Sequence, residues 1–372
     1  MTSTTDSPSP LDFIRQDVQG MHAYAVQESR GMVKLDAMEN PFTLSPALQA
    51  LLGQRLGAVA INRYPGSKVD DLKRALKSYV DMPAGYELML GNGSDELISL
   101  LAMACLTAKD KPKNTLLAPL PGFVMYEMSA QLQGLDFVGV PLTADFELNT
   151  PAMLAAIEAN KPAITYIAYP NNPTANLWDA DTIRSIIAAC RAYGGMVVID
   201  EAYQPFSSLT WLDEIRNDPE SNSNVLLMRT LSKFGLAGVR LGYMLGAKAL
   251  IDQIDKLRPP YNVSSLNAEC ALFALRHKDV FAEQAAIIKS ERERLLAALA
   301  ELPNVTPYPS DANMILVRFD HATATFEQLK TAGILVKNVS KMHPLLANCL
   351  RLTVGTPEEN TLLLKELGSL PD

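Results

Sequence analysis

Between Glu87 and Leu245 the chain alternates short apolar runs with helical patterns, and this alternation restricts its possible folds more than any other feature. Strands are read at Glu87–Leu90, Asn114–Ala118, Asp136–Val140, Ala163–Ala168, Met196–Asp200, Val225–Thr230 and Leu241–Leu245. Helical patterns fall over 94–107, Phe123–Gln133, Pro151–Asn160 and Asp179–Ala192. Strands separated by helices pair in parallel through crossovers, so the expected class is α/β, with a mostly parallel central sheet and helices on both faces. Upstream, a strand at Met32–Ala37 precedes helices at Pro46–Leu56 and Val69–Tyr79. After Pro259-Pro260 the character changes. One long helical region, roughly Ser264 to Leu302, leads into strands at Met314–Arg318, Ile334–Lys337 and Leu350–Thr353. Helices at Thr325–Ala332 and Pro357–Leu367 complete a smaller α+β domain, with Gly368 placed to end the last helix. The expected division is a disordered tail over 1–10, an arm over 11–45 joining the small domain, a large domain over 46–262 and a small domain over 263–372.

At 372 residues the chain is long enough for two domains. Its 33 basic and 41 acidic residues give a net charge of -8, which argues against a general nucleic-acid binder. Cys105, Cys190, Cys270 and Cys349 are widely spaced, without metal-ligand spacing, so reduced thiols in a cytoplasmic protein and no metal site are expected. The Ser/Thr/Pro-rich start lacks the basic and apolar regions of a secretory signal, and the run Leu97 to Leu106 is too short to span a bilayer.

The stretch Thr230-Leu231-Ser232-Lys233-Phe234-Gly235-Leu236-Ala237-Gly238-Val239-Arg240 sets one lysine among hydroxyls and small or apolar residues. A lysine that forms a Schiff base must lose a proton, and burial lowers its pKa. The hydroxyls and Arg240 can hold a phosphate by hydrogen bonds and charge. Together these point to pyridoxal 5'-phosphate (PLP); the competing reading is a Gly-rich loop with an incidental lysine. Gly91-Asn92-Gly93-Ser94-Asp95-Glu96 lies between a strand and a helix, where free N–H groups can cradle a phosphate or the turn can simply be capped. Tyr169-Pro170-Asn171-Asn172-Pro173-Thr174 follows a strand end, where open α/β sheets carry their sites, and offers a polar edge to an aromatic hydroxyl. Asp200 ends a buried-looking strand and can keep a pyridinium N–H charged; Tyr203 can reach the ring hydroxyl. Phe123 can stack on a planar ring, and Arg351 can fork onto a carboxylate or phosphate. Each also has a plain structural reading, as does Tyr64 in its turn. Their order along one chain favours the PLP reading.

With these motifs the sequence resembles the fold-type I PLP aminotransferases from about Lys34 onward, and within them the histidinol-phosphate branch. The closer likeness lies in Lys34-Leu35-Asp36-Ala37-Met38-Glu39-Asn40-Pro41-Phe42, Arg63-Tyr64-Pro65, Gly91-Asn92-Gly93-Ser94-Asp95-Glu96, Pro170-Asn171-Asn172-Pro173-Thr174, Asp200-Glu201-Ala202-Tyr203, Ser232-Lys233 and the segment Cys349 to Asn360. The resemblance implies that Lys233 carries the Schiff base and shuttles the proton, and that Asp200 pairs with the ring nitrogen. Asn172 and Tyr203 then bind the ring hydroxyl, and Phe123 stacks on the ring. Ser94, Asp95, Ser232 and Arg240 hold the cofactor phosphate. Tyr64 reaches the neighbouring subunit's phosphate in a homodimer. Arg351 takes the carboxylate of glutamate or 2-oxoglutarate, the partners of L-histidinol phosphate in the implied transamination. Asn172 also faces the substrate.

Three departures stand out. Ala175 replaces the usual Gly after Thr174, so the loop is expected to shift slightly. Lys337 stands where many relatives have an arginine tied to the substrate's phosphate, which keeps the charge but not the fork. His22-Ala23-Tyr24 replaces a Tyr-Pro-Gly pattern, leaving Tyr24 as the substrate-side candidate. The alternatives are an aromatic-amino-acid aminotransferase, a phosphothreonine decarboxylase, and, from another class, a non-enzymatic regulator that keeps the fold.

Overall fold

The apolar runs between Glu87 and Leu245 build one seven-stranded sheet in the computed structural model of the chain, which describes residues 9–21, 27–107 and 112–369. The strands are β1 (Val33–Leu35), β2 (Tyr86–Gly91), β3 (Thr115–Leu120), β4 (Asp136–Pro141), β5 (Ile164–Ala168), β6 (Met196–Asp200), β7 (Val225–Thr230), β8 (Gly242–Ala247), β9 (Val305–Pro307), β10 (Met314–Phe319), β11 (Ile334–Asn338) and β12 (Cys349–Thr353). The helices are α1 (Gln16–Gln19), α2 (Pro46–Gly57), α3 (Lys68–Tyr79), α4 (Ser94–Ala104), α5 (Met125–Gln133), α6 (Thr150–Asn160), α7 (Ala180–Arg191), α8 (Trp211–Asn217), α9 (Lys248–Ile254), α10 (Ser265–Arg276), α11 (Lys278–Ala300), α12 (Ala322–Thr331) and α13 (Pro357–Leu367). Contacts divide the chain into two units, Met1–Gly31 and Met32–Asp372. In the first, the described residues form a 3-10 turn at Pro10–Phe13, capped by Ser9, and α1; the Gln19 amide donates to the Leu11 and Ile14 carbonyls. The tail expected over 1–10 otherwise lies outside the described residues.

The large sheet has the order β2-β8-β7-β6-β5-β3-β4. Its pairs from β7 to β4 are parallel, and β8 runs antiparallel to both β7 and β2. Strand residues alternate between two apolar layers, as the two-residue period requires. Leu88, Leu90, Val197 and Ile199 pack with α3, α6, α7, α8 and α10. Met89, Tyr166 and Val198 pack on the opposite face with α4, α5 and α9. Both faces are covered, which is why these strands read as continuous apolar runs.

The smaller sheet has the order β1-β11-β12-β10-β9. β1 pairs in parallel with β11 at the edge, so the segment after Leu35 is carried across from the N-terminal side. Apolar residues of β10, β11 and β12 pack with α11, α12 and α13.

The long helical region expected over Ser264 to Leu302 is broken at His277. The His277 N–H turns back to the Phe273 and Ala274 carbonyls, and its ring lies 4.5 Å from that of Phe273. α10 packs on α2 and α3, whereas α11 packs on α13 and β9, so the chain must change direction there. No proline or glycine marks the break, because the constraint is tertiary. The short elements α8, α9 and β9 were not read from the sequence.

Candidate active site

A cavity of about 340 Å³ opens where β5, β6 and β7 end and α4 begins, the strand-end position at which open α/β sheets bind ligands. Ser94, Asp95, Phe123, Asn172, Asp200, Tyr203, Ser232, Lys233 and Arg240 all line it. Nine residues read from scattered motifs are therefore brought together.

Lys233 sits in a wide turn, Ser232–Leu236, directly after β7. Its Nζ donates to the Ala37 carbonyl at 2.9 Å and lies 5.9 Å from the centre of the Tyr203 ring. Burial, and next the Arg351 guanidinium, hold its pKa down at about 8 from 10.5. A large share of the amine is thus neutral slightly above neutral pH, as a nucleophile or base requires.

Asp200 ends β6 with its side chain on the Val198 face, buried. One oxygen accepts from the Ala202 N–H at 3.1 Å, the other from the Tyr126 hydroxyl at 2.6 Å. Burial raises its pKa to about 6 from 3.8, against the lowering effect of the Tyr126 and Ala202 hydrogen bonds. No cation is paired with it among the described residues. A carboxylate held this way suits a partner that brings its own positive charge. Glu201 points away, into a buried pair with Arg229 at 2.8 Å, and accepts from Thr210 and the Trp211 N–H. This ties the end of β6 to β7 and to the start of α8.

The opposite end of the cavity is built for an anion. Gly93 stands at the N-cap of α4 with φ +84°, and no side chain caps the helix, so its first N–H groups face outward. A Cβ on Gly93 would meet Arg240 Nη2 at 2.6 Å. Arg240 is paired with Asp95 at 3.1 Å and donates to Ser232 Oγ at 3.3 Å, while the Thr230 hydroxyl donates to Ser232 at 2.9 Å. Backbone N–H groups, hydroxyls and a guanidinium around one space match the chemistry of a phosphate.

Among the described residues, the remaining candidates Arg351, Lys337 and Tyr64 lie outside the cavity lining. Arg351, buried on β12, donates to Asn172 Oδ1 and to the Asp36 carbonyl, each at 2.7 Å, so it stands behind Asn172. Lys337 is half-buried and directly opposite Arg351 across the β11–β12 ladder, on the same face. Tyr64 is 75% exposed and stacks on Tyr261 with centroids 4.3 Å apart. Tyr24 and His22 lie outside the described residues. Ala175 does enter the left-handed region, at φ 67°, despite its Cβ. Its N–H donates to Asn171 and its carbonyl accepts from Asp311, both at 2.8 Å, and these bonds hold the conformation that glycine adopts freely.

Sequence reading missed three participants. Tyr126 lines the cavity and touches Asp200; the signal was its place three residues after Phe123, on the same side of the turn into α5. The Ala37 carbonyl has no side-chain signature. Glu39 lines the cavity from the same segment, paired with Lys34 at 2.8 Å. Among the described residues no cluster of three or more His, Cys, Asp or Glu side chains is placed to hold a metal.

The sequence pattern of the family described as Aminotransferase class I and II matches residues 30–367. A histidinol-phosphate aminotransferase of Methylibium petroleiphilum is 64% identical over 98% of this chain and 96% of its own length. One from Polaromonas naphthalenivorans is also 64% identical, over 98% of each. The crystal structure of histidinol-phosphate aminotransferase from Sinorhizobium meliloti in complex with pyridoxal-5'-phosphate superposes with a TM-score of 0.80 at 24% identity, covering 98% of both chains; that likeness is one of fold. A lysine and a carboxylate lining one cavity at the strand ends, with an anion cradle beside them, belong with that match along almost the whole chain: the protein is a member of the class I and II aminotransferases, in their histidinol-phosphate aminotransferase branch.

Proposed function

We propose that the chain is a PLP-dependent aminotransferase that moves an amino group between L-histidinol phosphate and 2-oxoglutarate, giving imidazole-acetol phosphate and L-glutamate, a step of L-histidine biosynthesis. The reaction class rests on Lys233, whose amine is held near a pKa of about 8 in the same cavity as Asp200. The choice of substrate rests on relatives of that name at 64% identity.

The residues present fit PLP on two observations. The cradle at Gly93 is a space that a Cβ would fill, with Arg240, Ser232 and the start of α4 around it. Asp200 is a buried carboxylate without a cation of its own, suited to a protonated ring nitrogen. When bound, PLP supplies an aldehyde that bonds to amines and a protonated ring that accepts electrons from the carbon bearing the amine.

The chain's own groups do the rest. In this reading Lys233 Nζ takes the proton from the substrate carbon that bears the amine and returns one in the reverse half. Asp200 holds the ring nitrogen's proton in place. Asn172 and Tyr203 donate toward the ring hydroxyl, and Phe123 covers the ring face. Backbone N–H groups at Ser94 and Asp95, with Ser232 and Arg240, hold the phosphate. Arg351 takes the carboxylate of glutamate, and Lys337 beside it adds charge for the substrate's phosphate. Tyr64, exposed with Ile61 and Tyr261, is assigned to the site of a partner copy in a homodimer. Free thiols at all four cysteines support a reducing, cytoplasmic setting, and no described helix is long and apolar enough to cross a membrane.

The test is a half-reaction. Cofactor-loaded protein is mixed with L-histidinol phosphate or, separately, with L-phenylalanine, while the bound cofactor's absorbance is followed. Rapid conversion by histidinol phosphate and slow conversion by phenylalanine is the expected result. The reverse order moves the assignment to aromatic amino acids, and release of carbon dioxide would make the chain a decarboxylase. Borohydride reduction followed by peptide mass analysis should find the cofactor on Lys233, and Lys233→Ala should retain none.

A further inference from the structure

We propose that Tyr126 is a positioning residue for Asp200: its hydroxyl holds one carboxylate oxygen in place and in its ionised form, ready for the cofactor's ring nitrogen. The inference rests on the assignment of Asp200 made above and adds a residue to it.

The geometry carries it. Tyr126 enters from the first turn of α5, is 2% exposed, and reaches across the β5 face to Asp200 Oδ2 at 2.6 Å. Its ring is held on two sides. It stacks on Tyr166 of β5 with centroids 4.1 Å apart, and the Phe123 ring meets it edge-on at 5.5 Å. The hydroxyl therefore has one place to be, and the carboxylate is the acceptor there. The Ala202 N–H holds the other oxygen, so each oxygen has one donor supplied by the protein and keeps a lone pair for a third partner.

The charge argument agrees. The other groups around Asp200 give its charge little help: Asp95 of α4 and Glu201 after β6 are acidic, and Tyr166 and Tyr203 are neutral phenols. Lys233 and Arg240 border the same cavity but are bonded elsewhere, to Ala37 and to Asp95 and Ser232. Tyr126 is thus the side-chain donor that favours the charged form. Burial and the neighbouring carboxylate push its own phenol well above 10, so it stays a donor throughout the working pH range.

Tyr126→Phe removes the hydroxyl and keeps the ring packing. Ionisation of Asp200 is followed by infrared difference spectroscopy on the full chain before cofactor loading, with Asp200→Asn as the blank. The expected result is an upward shift of the titration midpoint by about one to two pH units, together with a roughly tenfold or greater loss of cofactor affinity. Site-specific difluorotyrosine at 126, a stronger donor of nearly the same shape, should move the midpoint down, and serves also where Tyr126→Phe folds poorly. Midpoints unmoved in both proteins overturn the inference, leaving Tyr126 a core residue. If instead Asp200→Asn itself leaves cofactor affinity and half-reaction rate unchanged, it is the underlying assignment of Asp200 that falls.

Discussion

Burial acts on Asp200 and Lys233 in the same sense, favouring the uncharged form of each. Asp200 titrates at about 6 in the folded chain and near 3.8 unfolded, so its contribution to stability is full at acid pH and is lost as pH rises through that window. Lys233 titrates at about 8 instead of 10.5, so its contribution is lost as pH falls from about 10.5 through 8. Asp200→Asn should therefore gain stability over the parent chain, both without cofactor, as pH rises from 4 to 7. The gain should reach about 2 to 3 kcal/mol. Urea unfolding at several pH values measures it, and a constant difference would remove the burial cost on Asp200. Lys233, Asp200 and Arg240 were legible because each sits beside a strand end, a glycine or a hydroxyl that narrows its use. Tyr126 was not, since a tyrosine in an amphipathic helix reads as core. The bond from Arg351 to Asn172 joins residues 179 positions apart, and no local pattern announces it.

The anion cradle is a property of two elements, β8 and the N-terminus of α4, brought unusually close. A Cβ on Gly242 would meet the Gly93 carbon and the Ser94 nitrogen at 2.8 Å, and both are backbone atoms that cannot swing aside. Gly242→Ala should push the helix start away from β8, costing about 1 to 3 kcal/mol in stability and weakening cofactor retention during dialysis. Retention at the parent level would show that the cradle tolerates the displacement. The join between β6 and β7 depends on Glu201, whose carboxylate is fully enclosed with Arg229. Glu201→Gln should destabilise the chain by about 3 kcal/mol or more, read as an earlier urea transition, because the guanidinium is left buried without its counter-charge. The strands of the large sheet were legible because both faces are covered and each strand is a bounded apolar run. The His277 break was not, because its cause is where α10 and α11 must pack. The seven-residue helices α8 and α9 give too few turns for a periodic signal.

For the whole molecule, the proposed homodimer predicts that differently impaired subunits complement one another. If Tyr64 serves a partner's site, Tyr64→Phe and Lys233→Ala subunits that are each impaired should recover activity when mixed and reassociated. The hybrid then holds one site with its own lysine and the other copy's tyrosine. Light scattering should give twice the chain mass for the parent protein, and a monomer with full activity would end the homodimer assignment. The mixed sheets with helices on both faces were legible from the alternation of strand and helix patterns, but the path of the segment after β1 was not. That segment is fastened at the site by main-chain groups: the Ala37 carbonyl to Lys233, the Asp36 carbonyl to Arg351, and the Met38 N–H to the Thr353 hydroxyl. Two of these bonds join positions 315 residues apart. At about 5 to 20 residues per second, the early segment leaves the ribosome roughly 15 to 60 seconds before its far partners exist. The large sheet can assemble in that interval, but the reaction site closes only when the end of the chain has been made. A polypeptide cut short before β12 would keep Lys233 and lack two of the three clasps that hold the segment over it.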